Sequence, residues 1–211
     1  MTRRSFHRET EEVRQNDLVN ATLDAVAELG LPGATVREVA WRAGVTPGLI
    51  RRYFQSKERL VEAAYRAFMQ AMTSEAETAI GEGPALARLA RLVRTSVTPP
   101  MAGGRRLAVW AAFIGTVNTQ PAMADLHRDG YRSYRDLLEQ LVRDVMAERG
   151  ATAHARTARR HAIALNALID GLWLEISLGG DDFSGDDIVR IALDGTAAIL
   201  GIDPADLRDA Q

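Results

Sequence analysis

Apolar residues recur at spacings of three and four along almost the whole chain, and no run alternates apolar with polar as a half-buried strand would. The pattern predicts an all-α protein. A first helix is expected over 14–29, where Leu18, Ala21, Thr22, Ala25, Val26 and Leu29 share one stripe before Gly30 and Leu31-Pro32-Gly33 interrupt it. Thr35 followed three residues later by Glu38 has the form of a capping box, and it opens a short helix with Val36, Val39, Ala40 and Ala43 on one face and Gly44 at its end. Thr46 as N-cap and Pro47 at the first helical position start a third helix after a very short turn, with Ile50 and Phe54, four apart, on its core side. A long fourth helix follows over 56–80. Further helices are expected over 85–97, 104–118, 122–148, 153–178 and 185–200, separated by Gly81-Glu82-Gly83-Pro84, Thr98-Pro99-Pro100, Gln120-Pro121, Gly150 and Gly179-Gly180. Nine helices result, with frayed ends at 1–12 and 203–211.

Two short helices joined by a tight turn have the form of a helix-turn-helix DNA reader, whose second helix enters the major groove with its N-terminal residues nearest the bases. Thr46, Pro47, Gly48 and Leu49 occupy that presenting end. The small residues allow close approach, and Leu49 suits a thymine methyl. Arg51 and Arg52 follow with reach for guanine edges or phosphates. Lys57, the only lysine in the chain, falls in the first turn of the fourth helix, where a phosphate is favoured. The competing reading is a plain αα-corner with solvated arginines, against which stand the two capped helix starts and the small presenting residues. Trp41 either packs on the first helix or flanks the DNA backbone.

Bulk properties change this picture little. With 211 residues and 46% hydrophobic content the chain can bury sizeable cores. It has no cysteine, hence no disulfide framework, thiolate chemistry or zinc finger. The net charge of −2 is unevenly spread: residues 1–60 carry ten basic and eight acidic residues, the remainder sixteen and twenty. Arg3 and Arg4 lead into Glu9, Thr10, Glu11 and Glu12 rather than an apolar stretch, so no export signal is expected. The most apolar stretch is read at residues 108–117, short of the roughly 20 needed to span a bilayer. A cytoplasmic protein with no membrane partner is expected.

Beyond residue 60 the aromatics are few: Trp110 with Phe113 on one helix face, Tyr131 with Tyr134 on another, Trp173, and Tyr65, Phe68 and Phe183. Aromatic walls can hold a cation through ring-face attraction, and Asp170 or Glu175 could balance its charge; core filling is the plainer role for any one of them. His127, His154 and His161 show no metal-ligand spacing, and no nucleophile constellation or phosphate loop appears, so no metal, cofactor or catalytic site is expected. The last two helices are apolar on more than one side. Leu165, Leu168, Gly171 and Leu172 with Ile188, Ile191, Gly195 and Ile199 suit a four-helix interface between two copies, or else a broad internal core. A two-fold dimer would set two reading helices about 34 Å apart, matching a palindrome.

The run from Thr35 to Leu60, Thr-x-x-Glu-Val-Ala-x-x-Ala-Gly-Val-Thr-x-Gly-x-Ile-x-x-Tyr-Phe-x-Ser-Lys-x-x-Leu, resembles the N-terminal domain of TetR-family transcriptional regulators. The resemblance implies phosphate or base contacts from Thr35, Arg37, Thr46, Gly48, Arg51, Arg52, Tyr53 and Lys57, with Arg51 standing where members commonly carry tyrosine. Val109-Trp110-Ala111-Ala112-Phe113 and Leu168-Ile169-Asp170-Gly171-Leu172-Trp173-Leu174 resemble segments of the BetI-type branch, repressors that respond to choline. It implies a DNA-binding domain over 13–59 and an effector-binding and dimerisation domain over 60–203. The expected function is a homodimeric repressor of a palindromic double-stranded operator, released by a small-molecule effector, choline or a related quaternary ammonium compound. The alternatives are a hydrophobic, fatty-acid or polyamine effector, or a helical binding protein without DNA function. The ligand residues implied are Trp110, Phe113, Tyr131, Tyr134, Asp170 and Trp173.

Overall fold

The computed structural model describes residues 3–151, 154–178 and 184–210, with side chains from residue 11 onward. Among the described residues all regular structure is helical: α1 (Arg3–Gly33), α2 (Val36–Arg42), α3 (Pro47–Phe54), α4 (Lys57–Ile80), α5 (Ala85–Ser96), α6 (Gly104–Ile114), α7 (Pro121–Glu148), α8 (Ala155–Leu178), α9 (Gly185–Leu200) and α10 (Pro204–Asp209). The chain forms two compact units, one of residues up to 70 with 108–128, the other of 71–107 with 129 onward.

In the first unit α1 buries Leu18, Ala21, Thr22, Ala25 and Val26, as the periodicity requires, while Leu29 stays half exposed. Gly30, at φ 68° and ψ 174°, interrupts the helix where expected. The other end differs: helix begins at Arg3, so residues 3–12 of the stretch expected to fray are helical. The capping box of α2 is only half made. Thr35 Oγ1 accepts from the Glu38 amide at 3.2 Å, but the Glu38 carboxylate turns to Arg42 Nε at 2.7 Å instead of the cap. Thr46 is an N-cap by backbone conformation, without a side-chain cap bond. Of the two expected core residues of α3, Ile50 is fully buried and Phe54 only half. The helix stops at Gln55, whose φ of 68° and ψ of −44° with a Ser56 N–H to Phe54 carbonyl bond of 2.8 Å make a γ-turn, a strained corner that lets α4 start two residues later.

The same unit includes α6 from Ala108 onward and the start of α7. Buried Tyr65 on α4 stacks on buried Phe113 of α6 at 4.3 Å between centroids, and its hydroxyl lies 2.7 Å from His127 Nδ1 on α7. The helix expected over 104–118 ends at Ile114 and continues as turns.

In the second unit the Glu148 carboxylate accepts from the Ala85 amide at 2.7 Å, serving the start of α5, while Arg88 pairs with Asp144 at 3.0 Å. The α9 start carries a full capping box of Ser184 and Asp187. Residues 203–211, expected to fray, hold a tenth helix instead. Asp203 caps it through the Ala205 amide at 2.8 Å, Pro204 sits at its first position, and Leu207 is buried where α10 packs on α5 and α9. The break at Gly179-Gly180 and the aromatic Phe183 lie outside the described residues.

Helices α8 and α9 pack on each other, and a Cβ on Gly195 would come within 2.9 Å of Leu168 Cδ2. Leu165, Leu172 and Ile188 are consequently buried inside the chain and have no surface left for a second copy. Leu168, Gly195 and Ile199 are half-buried; Gly171 and Ile191 are exposed. The outward stripe of α8 instead runs through Ile163, Ala167, Gly171, Leu174 and Leu178, the last 74% exposed. Contrary to the expectation drawn from residues 108–117, α8 is long and apolar enough to cross a membrane by length and composition alone. Leu165→Ala is expected to lower the unfolding free energy by about 2–5 kcal/mol, the range for truncating a fully buried leucine. Urea unfolding checks this, and a loss below about 1 kcal/mol would contradict an internal role.

Candidate nucleic-acid interface and ligand site

Helix α3 spends a single fully buried side chain, Ile50, on the core and leaves Thr46, Pro47, Gly48, Arg51 and Arg52 exposed. Val36, Pro47, Gly48, Ile50, Arg51, Gln55, Ser56 and Lys57 line one concavity of about 400 Å³, so the presenting end of α3, the start of α2 and the start of α4 share a face. A Cβ at Gly48 would meet only Thr46 Oγ1, at 3.9 Å. The chain's own packing therefore does not demand glycine there. Thr35 and Arg37 are exposed at the start of α2, Leu49 and Tyr53 are half-buried, and Arg37 and Arg51 make no ion pair among the described residues. Arg52 lies 3.5 Å from Glu11 of α1, with its guanidinium 5.8 Å from the Tyr53 ring centre. Lys57 is half-buried and donates to the Leu31 carbonyl at 3.2 Å, which leaves two ammonium protons for an anion.

Arg42, by contrast, is a structural cation. It binds Glu28 at 2.8 Å and Glu38 at 2.7 Å, and its hydrogen bond to Glu28, then that to Glu38, hold its pKa above the ordinary arginine value. Trp41 is 76% exposed, in a groove whose lining includes Asp17, Asn20, Asp24, Glu28 and Arg42. It does not pack tightly on α1, and the groove holds more carboxylates than cations, which disfavours a phosphate there.

Four of the six expected ligand residues come together in the second unit. Tyr131 donates to Asp170 Oδ1 at 3.2 Å, and Asn166, one turn earlier on α8, donates to Asp170 Oδ2 at 2.7 Å. The Arg135 guanidinium lies 5.2 Å from the Tyr131 ring centre, and its buried Nε has no hydrogen-bond partner among the described residues. Trp173 Nε1 donates to the Ser96 carbonyl at 2.6 Å. Ser96 Oγ gives its one proton to the Leu92 carbonyl at 2.8 Å, so Tyr134, also 2.8 Å away, is the donor to Ser96. Burial pushes the Tyr134 phenol up to about 12, aided by the charge of Asp170. Desolvation raises the Asp170 carboxyl to about 6, against the opposing pull of Tyr131, Arg135 and Asn166. Trp110 and Phe113 belong to the other unit, where both are buried, and Phe113 is wholly enclosed in the stack with Tyr65. Phe113 is thus a core residue. Among the described residues no His, Cys, Asp and Glu group could hold a metal.

Residues 18–64 match the family model of bacterial regulatory proteins of the tetR family, and residues 85–201 that of the C-terminal part of BetI-type transcriptional repressors. The HTH-type transcriptional regulator BetI of Pseudomonas paraeruginosa PA7 is 35% identical over 86% of this chain and 90% of its own length. The chain belongs to the tetR family, in its BetI type. BetI of Burkholderia mallei is 32% identical over 87% of the chain and 91% of its own. A solved Pseudomonas aeruginosa PAO1 protein assigned as a transcriptional regulator superposes with a TM-score of 0.80 at 31% identity, covering 95% of both chains. A Saccharomonospora viridis protein solved in complex with choline shares the fold, with a TM-score of 0.75 at 22% identity over 87% of this chain and 95% of its own.

As a tetR-family member this protein is a transcriptional regulator and not an enzyme. The motif reading missed several residues of both sites. Glu11, which pairs with Arg52, lies outside the matched segment. Ser96, Asn166 and Arg135 organise the cluster around Asp170, and only the four-residue spacing of Asn166 and Asp170 on one helix could have signalled it. The raised Asp170 pKa has a stability consequence. Its folded value lies above the unfolded one, so between about pH 4 and 6 the native state keeps a proton that the unfolded chain has released, and stability falls as pH rises through that window. Asp170→Asn should gain on the parent protein across the same window and hold that gain above pH 7. Urea unfolding at half-unit pH intervals measures the difference, and a flat difference would remove the buried carboxylate as its source.

Proposed function

We propose that the protein is a homodimeric repressor which binds a palindromic operator through α2, α3 and the start of α4 and is released by a cationic small molecule. The reading rests on one observation above others: Pro47, Gly48, Arg51 and Lys57 line a single concave face in a chain of a family of transcriptional regulators. Residues 13–59 act as the reader and 60–203 as the effector-binding and dimerisation part. Thr46, Pro47, Gly48 and Leu49 lie against the bases, while Thr35, Arg37, Arg51, Arg52, Tyr53 and Lys57 hold phosphates or base edges. Gly48 then has a reason from outside the chain, since a side chain there would stand between α3 and the groove.

The exposed stripe of Ile163, Ala167, Gly171, Leu174 and Leu178, with Ile191 on α9, forms the contact between two copies. A bilayer is the poorer partner for α8, because Asn166, Asp170 and Glu175 would have to enter hydrocarbon. The protein acts in the cytoplasm, beside its DNA. Arg51→Ala and Leu178→Glu should both lose operator affinity in anisotropy titrations at fixed salt. Sedimentation separates them: the Arg51 variant remains a dimer and the Leu178 variant runs as a monomer. Unchanged affinity for the first, or an intact dimer for the second, defeats the corresponding assignment.

The effector is choline or a related quaternary ammonium compound, held by Asp170 among Tyr131, Tyr134 and Trp173. Such a cation needs negative charge and ring faces rather than hydrogen-bond acceptors. Ligand binding favours a dimer whose reading helices no longer fit the operator, with α4 carrying the change. Because the carboxyl titrates near 6, choline should bind about tenfold more tightly at pH 7.5 than at pH 5, and Asp170→Asn should abolish the difference. Calorimetry at the two pH values reads this directly. No heat with choline at either would sink the effector assignment while leaving the DNA reading untouched.

A further inference from the structure

We infer that the cavity bounded by the bend of α1, the first turns of α4 and the connection between α6 and α7 is a second small-molecule site, which takes an organic ammonium ion with an apolar body and strengthens DNA binding when filled. All of its lining residues belong to the first unit, so it is distinct from the cluster around Asp170. Its volume of about 660 Å³ lies inside the range of small-molecule sites, roughly 300–1,000 Å³. Binding to the cavity stands without the DNA reading above; the effect on DNA rests on that reading.

The chemistry of the site follows from α4. Glu58, Val61 and Glu62 are spaced by three and four positions, so one helix face offers two carboxylates a turn apart beside an apolar side chain. Pro32 of the α1 bend, Ala112 of α6 and the buried Met123 of α7 complete the apolar wall. Hydrogen bonds from Ser56 and from its own backbone amide hold the Glu58 carboxyl below the ordinary carboxylate range, so it is charged at neutral pH. Glu62 meets Arg59 at 3.5 Å, but the Arg59 side chain is 71% exposed, and an incoming ammonium can replace so loose a partner. Against these two carboxylates the lining sets one cation, Lys57, which already donates to the Leu31 carbonyl. The balance favours a cation over an anion. Among the described residues no aromatic ring lines the cavity. A quaternary ammonium, which depends on ring faces, is poorly served there, whereas an ammonium that carries N–H groups finds an acceptor in each carboxylate.

Lys57 lines this cavity and also the concave face at the start of α3. A bound cation offsets the carboxylates beside the lysine and leaves its charge freer for a phosphate. In water-exposed, salt-screened surroundings one such charge changes phosphate affinity by roughly threefold. Operator DNA then tightens the cation's own binding by the same factor, because the coupling is reciprocal.

The test uses the full-length protein with octylamine, and octanol as its uncharged counterpart. Calorimetry near neutral pH should give binding heat with the amine and little with the alcohol, and saturating choline should not displace the amine. Glu58→Gln with Glu62→Gln should weaken the amine by roughly tenfold or more, the scale of lost hydrogen bonds to charged groups. Gly115 provides a variant that acts by volume alone: it lines the cavity, and a Cβ there has ordinary room, 3.8 Å from the Ala112 carbonyl oxygen. Gly115→Leu should block the amine while thermal unfolding followed by circular dichroism stays close to the parent's. In anisotropy titrations octylamine should tighten operator binding about threefold, and the double glutamine variant should bind the operator more tightly unaided and lose the response. No heat with octylamine, heat that survives the double glutamine variant, or displacement by choline overturns the site. Heat without any change in operator affinity overturns the coupling. If the parent protein selects no duplex at all, the DNA reading falls with the coupling, while the calorimetry still decides the site.

Discussion

A reading helix must keep most of its surface for DNA, and this one anchors itself with a single fully buried side chain, Ile50, in eight residues. Burying one isoleucine contributes about 1.5–3 kcal/mol, too little to hold a short helix whose own propensity is marginal. The neighbouring elements have to supply the rest. The Val45 amide bonds to the Ala40 carbonyl at 2.9 Å, tying the incoming turn to α2, and Pro47 presets the first helical position. At the far end the γ-turn at Gln55 and the bond from Lys57 to the Leu31 carbonyl fix where α4 departs. Arg42, clamped between Glu28 and Glu38, joins α2 to α1. A basic residue next to the reader is thus structural, while Arg37 and Arg51, similar in the sequence, remain free of ion pairs among the described residues.

This division explains what is legible in the chain and what is not. Helix starts and stops are local events, and Thr35, Pro47, Gly30 and Gly44 mark them. Asp203-Pro204 carries the same kind of signal for α10. Nearness to the end of the chain argues for fraying there, yet burial of Leu207 against α5 and α9 is enough to order the segment. The reader motif is legible because its residues are contiguous. The ligand cluster is only partly so, because an aromatic residue at helical spacing looks the same whether it walls a site or fills a core. Phe113 is enclosed by Tyr65, a contact across more than forty residues of chain that no local pattern reveals. The apolar sides of α8 and α9 pose a similar problem: periodicity identifies two of them without saying which side the other helix takes. Leu165, Leu172 and Ile188 go inward, and the outward stripe shifts to Ile163, Ala167, Leu174 and Leu178.

In the proposed effector site, stability and function pull apart at Asp170. A carboxylate in a poorly solvated site is unfavourable when charged, and its two hydrogen bonds and the nearby Arg135 only partly offset the lost hydration. An asparagine would fold more easily. The same energetic deficit makes the position responsive, because a cation arriving beside it recovers interaction that the empty site lacks. That recovery is largest in whichever arrangement of the chain brings the cation nearest, and a ligand shifts an equilibrium only by such a difference between states. Arg135 sets the limit. Its charge already acts on Asp170 and its guanidinium rests over Tyr131, so a cation entering the proposed site must either share the carboxylate with it or turn it aside. A site with no competing guanidinium would bind a cation more tightly in every conformation and discriminate less between them. In the proposed role, the partly neutralised carboxylate would give up affinity and gain dependence on where Arg135 stands, which is the property a regulator needs.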